Sequence, residues 1–111
     1  MHPAAPFVLA AITMAATTAH AGPYCYKWNE AYSRGDIAQT AATHQAWIVT
    51  HLPNDILQSL KAKGAAVARF RLEALERLVV KNCELHETLS VATVLDDLAT
   101  NYRSGRIDLF R

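Results

Sequence analysis

The stretch Ala65-Ala66-Val67-Ala68-Arg69-Phe70-Arg71-Leu72-Glu73-Ala74-Leu75-Glu76-Arg77-Leu78-Val79-Val80-Lys81-Asn82, followed at once by Cys83, decides the fold. Its apolar residues Val67, Phe70, Ala74, Leu75, Leu78 and Val79 recur at helical spacing, and neither Gly nor Pro interrupts them. The spacing predicts a helix over 65–82 that turns this stripe to a core, with Cys83 at or just past its end. Arg69 stands four residues before Glu73 and Glu73 four before Arg77, and Glu76 follows Glu73 by three. That is the charge pattern of a solvated helix face with modest ion pairs.

Upstream, Gly64 interrupts the pattern, and Ile56-Leu57-Gln58-Ser59-Leu60 reads as a further short helical turn, with Asn54 or Asp55 as its cap after Pro53. Ahead of Pro53 a helix over about 37–52 presents Ile37, Ala41, His44 or Gln45, and Ile48 as a stripe, with Trp47 beside it and Asp36 as cap. A first short helix, about 24–33, places Cys25, Trp28 and Tyr32 on one face and ends at Gly35. Downstream, Val91, Leu95, Leu98 and Tyr102 define a last helix over about 88–102, and Ser104-Gly105 ends it. The expectation is an all-α fold, a small bundle of four to five short helices with one disulfide.

The first 21 residues differ from all that follows. Met1 to Ala21 holds no Lys, Arg, Asp or Glu, and Phe7 to Ala16 is a continuous apolar run closed by the small residues Ala19 and Ala21. This reads as a cleavable signal peptide over 1–21, cut after Ala21, and the run is too short to span a bilayer. The remaining 22–111 form one domain near the lower size limit for a self-sufficient core. Export to the periplasm would put Cys25 and Cys83, the two cysteines of the chain, in an oxidising compartment, where a single internal pairing is available. The 11 basic and 10 acidic residues are interspersed, with no basic stripe for nucleic acid and no polybasic footprint for stable membrane association.

Signals for chemistry are sparse. His44 and His51 are seven residues apart, too far along one helix to share a metal ion, and His86 is remote; all three read as solvated or capping residues. No nucleophile elbow and no glycine-rich phosphate loop is present, so neither an enzyme, a metal site nor a cofactor is expected. The aromatics Tyr24, Tyr26, Trp28 and Trp47 crowd into the start of the domain, where they serve either a small core or a binding surface.

The pattern Cys25-x-x-Trp28, Trp47-Ile48 in a second helix, and Leu78-Val79-x-x-x-Cys83 before a terminal amphipathic helix resembles the HdeA/HdeB-type periplasmic acid-stress proteins. The chain departs from that family in having Thr50-His51 where a Gly-aromatic pair is frequent, and in lacking a lysine-rich C-terminus. The resemblance implies a holdase, often a homodimer, that loosens in acid and covers apolar surface on other periplasmic proteins. In strong acid the 11 basic side chains, the three histidines of 22–111 and the amino terminus together carry about +15, a self-repulsion that opposes compactness. The rival reading is an immunity protein or inhibitor that binds one secreted toxin or cell-wall hydrolase.

Overall fold

A computed structural model describes residues 22–111; the expected signal peptide lies outside the described residues. The described chain is all-α: α1 (Cys25–Ala31), α2 (Ile37–His51), α3 (Asn54–Lys61), α4 (Ala65–Leu85) and α5 (Val91–Arg103). The long α4 is the axis against which the other four helices pack. As α1 advances, its contacts step backward along α4. Cys25 is bonded to Cys83, with Cα atoms 4.8 Å apart, Asn29 Nδ2 donates to the Val80 carbonyl at 3.1 Å, and Tyr32 Oη reaches Glu76. The first helix therefore runs antiparallel to the second half of α4, and the disulfide fastens its leading end.

Local chemistry explains the helix boundaries. Asp36 caps α2 as expected, its carboxylate accepting from the Ala38 and Gln39 amides at 2.9 and 3.3 Å. Gly64 separates α3 from α4 with φ 93°, a left-handed backbone that a side chain would strain. The expected cap of α3 shifts by one residue. Pro53 takes the N-cap position, so Asn54 and Asp55 enter the first turn, where the Asp55 carboxylate meets the positive end of the helix. The end of α4 also moves, out to Leu85, so Cys83 lies within its last turn. The last helix starts at Val91, with Ser90 as the cap accepting from Thr93 N at 3.1 Å. Residues 88–90, expected in that helix, stay outside it because the backbone of 87–91 serves the start of the domain. Cys25 N donates to Leu89 O at 2.8 Å, Tyr26 N to Glu87 O at 3.2 Å, and Val91 N donates back to Pro23 O at 2.9 Å.

Trp28, Ile48, Ile56, Leu75, Val79, Val91, Leu95 and Leu98 form the buried core, to which each helix contributes. Leu109 belongs to it as well, so the C-terminal tail docks. Phe110 packs edge-on against Tyr102 with ring centroids 5.5 Å apart, and the Arg71 guanidinium lies 5.4 Å from the Phe110 ring.

Two expected core residues are instead on the surface. Phe70 is 61% exposed, because the buried line of α4 runs through Ala68, Leu72, Leu75, Val79 and Cys83. At 100° per residue, Phe70 stands about 200° from both Ala68 and Leu72 and points away. Ile37, 65% exposed, shares the face of Ile48 but occupies the first turn of α2, where residues 37–39 are all exposed.

Candidate functional site

The aromatic residues of α1 and α2 meet above the middle of α4. Trp28 is fully buried, and the His44 ring stacks on it with centroids 3.6 Å apart and planes 18° from parallel. Tyr32 meets His44 edge-on at 4.9 Å, and Trp47 meets Trp28 edge-on at 5.4 Å. His51 stacks on the outer face of Trp47 at 3.8 Å, its Nδ1 lying 2.8 Å from the Trp47 carbonyl, which selects the Nδ1–H tautomer as donor. The expectation of solvated histidines therefore fails for His44, which is half-buried in the aromatic cluster. His51 remains exposed and His86 lies at the end of α4.

Beneath this cluster lies Glu76, the one buried charged residue among the described residues. Tyr32 Oη donates to its Oε2 at 2.6 Å, and Gln45 Nε2 donates to its Oε1 at 2.7 Å. One carboxylate thus ties α1 and α2 to α4, correcting its reading as part of a solvated face. Burial, reinforced by the Glu76 carboxylate, pushes the Tyr32 hydroxyl well above its ordinary pKa, so it serves as a donor throughout the working pH range. Burial also holds His44 below its ordinary 6.5, although the nearby charge of Glu76 opposes the shift. His44 is consequently neutral near pH 7.

Between α1, α2 and α4 a groove of about 860 Å³ opens to the surface over Glu76. Asn29, Tyr32, Gln45, Arg77 and Val80 are among its walls. Away from the groove, Arg103 at the end of α5 holds Asp55 of α3 with a two-pronged ion pair, both N–O distances being 2.8 Å. That pairing, through its hydrogen bonds first, pulls the Asp55 carboxyl down to about 2.

The four aromatics singled out from sequence divide into two pairs. Trp28 is core and Trp47 half-buried against it, whereas Tyr24 and Tyr26 project outward, 51% and 48% exposed, with rings 6.0 Å apart. Sequence reasoning placed His44 or Gln45 on the inner face of α2, and both lie there; it missed the carboxylate they meet. The available signal was register: Glu76 stands four residues after Leu72, three before Val79 and seven before Cys83, on the buried line itself. Among the described residues no cluster of three or more His, Cys, Asp or Glu is placed to hold a metal ion, and no helix is long and apolar enough to cross a membrane. No protein-family model matches the chain, and neither curated proteins nor solved structures provide a match.

Proposed function

We propose that this chain is an exported periplasmic binding protein, not an enzyme, acting as an acid-stress holdase of the HdeA type: it loosens at low pH and shields apolar surface on client proteins. The observation that carries the reading is the half-buried, neutral His44 stacked on Trp28 where α1, α2 and α4 converge. Its folded pKa lies below 6.5, so the unfolded chain takes up a proton first. The stability it contributes is complete above pH 6.5 and is lost as the pH falls through the lower folded value. Asp55 acts in the same direction further down. Its ion pair stabilises α3 against α5 above pH 3.8, and that contribution disappears as the pH falls through about 2. Acid therefore loosens two joints, one where α1, α2 and α4 converge and one between α3 and α5, while Cys25–Cys83 keeps α1 tethered. The apolar stripes of α2 and α5 would then become available to clients.

Acid titration of the purified protein tests this. Near-UV circular dichroism from Trp28 and Trp47 should collapse between about pH 4 and 2 as dye-binding apolar surface appears, and aggregation of unrelated clients should be suppressed over the same interval. A rigid fold at pH 2 without client protection would refute the reading.

The exposed Tyr24–Tyr26 pair favours a second reading, an immunity protein or inhibitor with one partner, because paired tyrosines on a disulfide-fixed backbone are suited to a rigid contact surface. Such a protein would bind its partner at neutral pH while fully folded, and Tyr24→Ala with Tyr26→Ala would weaken that complex without changing acid unfolding.

A further inference from the structure

A carboxylate buried in protein is costly unless a cation or a full set of donors compensates it. Glu76 is about nine-tenths buried. The ion pairs among the described residues are Glu30–Arg34, Asp55–Arg103 and Asp108–Arg111, so no cation lies within 4.0 Å of Glu76, Arg77 and Lys81 of the groove rim included. Its two donors, Tyr32 and Gln45, are neutral, and each takes a different oxygen. A carboxylate offers about four lone-pair positions, so one acceptor position on each oxygen is unmet, together with the charge. Asn29 Oδ1 is buried without a partner, and its amide is oriented by Nδ2, which donates to Val80 O. Asn29, Val80 and Glu76 all line the same groove.

We propose that this groove is the docking site for one arginine side chain presented by a protein partner, with the aliphatic stem along Ala41 and Val80 and the guanidinium against Glu76. A cation is the favoured occupant because Glu76, the buried carboxylate of the groove, has only neutral donors in Tyr32 and Gln45, and the groove's Arg77 and Lys81 are exposed and lie beyond 4.0 Å of it, with Glu73 and Glu84 adding negative charge. A guanidinium suits it better than an ammonium, because one free acceptor position per oxygen matches a planar fork of parallel N–H groups. The volume, about 860 Å³, leaves room for the arginine and part of the backbone that presents it. The site belongs to the folded state at neutral pH and does not depend on acid loosening.

The test is an amide-resolved NMR titration of the purified protein at pH 7 with N-acetyl-arginine N-methylamide, and with its citrulline counterpart as the uncharged isostere. Saturable shifts at the Asn29, Ala41, Gln45 and Val80 amides are expected with the arginine compound, and binding about tenfold weaker with citrulline. Glu76→Gln, which keeps the shape and removes the charge, should weaken arginine binding by about the same factor. Ala41→Phe fills the groove one turn from Gln45 while leaving Glu76 and its charge in place, and should abolish binding while the thermal transition persists, which decides the matter even if Glu76→Gln does not fold. Absence of saturable shifts, equal binding of arginine and citrulline, or unchanged binding in Ala41→Phe would each overturn the proposal.

Discussion

Replacing both Cys25 and Cys83 by Ala should remove a large fraction of the folding free energy. The two positions are 58 residues apart in sequence. Chain-entropy arithmetic for a closed loop of that length gives about 4 kcal/mol at 25 °C, lost when the unfolded chain is freed to expand. Both sulfurs are fully buried, so their removal leaves small voids that add about 1 kcal/mol. A domain of this size has a total of about 5–13 kcal/mol, so the double variant should be marginal yet folded. Its α1 would be held by Trp28 packing, by Asn29 on Val80 and by Tyr32 on Glu76. Urea titration at pH 7, followed by tryptophan fluorescence and far-UV circular dichroism, measures both the loss and the m-value. The m-value should rise, because the unlinked unfolded ensemble exposes more surface. A loss below about 1 kcal/mol with an unchanged m-value would refute the assignment of the crosslink to unfolded-state confinement.

Other perturbations address the acid response and the core. In His44→Phe the stacking on Trp28 is retained and the proton uptake removed, so urea midpoints should change less between pH 7 and pH 5 than in the parent protein; equal slopes would exclude His44 as an acid-sensitive joint. Asp55→Asn should flatten the stability profile between about pH 4 and pH 2, where the parent loses the Arg103 pairing, and have a smaller effect on that profile above pH 5. Leu109→Ala should cost about 3 kcal/mol in chemical denaturation, as for other fully buried leucines, whereas an effect below about 0.5 kcal/mol would mean that the tail is not docked.

The helices were legible because they rest on local rules. Asp36 caps, Gly64 separates, Pro53 stops and the cysteines pair, each for reasons contained within a few residues or in the count of thiols. The tail was not legible, because Ile107 to Arg111 is too short to show periodicity and Leu109 is buried only by long-range packing. Phe70 stands at helical spacing from Val67 and Ala74, which suggests an inward position, but its angular position relative to Leu72 opposes that. The same angular argument would have placed Glu76 inside, but a glutamate between Leu75 and Arg77 also fits an exposed ion-pair row, and only the arrival of Tyr32 and Gln45 from other helices distinguishes the two. Tyr24 and Tyr26 could not be separated from Trp28 by composition. Their exposure follows from the backbone pairing of 23–26 with 87–91, which spends main-chain groups instead of side chains.

That pairing also fixes when the molecule can finish folding. The residues at the start of the domain find their partners near its end: Pro23 with Val91, Cys25 with Leu89 as well as Cys83, and Tyr32 with Glu76. A nascent chain emerging from the ribosome or a translocation channel N-terminus first cannot settle α1 until residue 91 has cleared the exit. Truncated chains ending before Cys83 should therefore leave α1 without its disulfide and its main-chain partners, and assembly should proceed as one late closure of the two ends instead of a sequential build from the N-terminus.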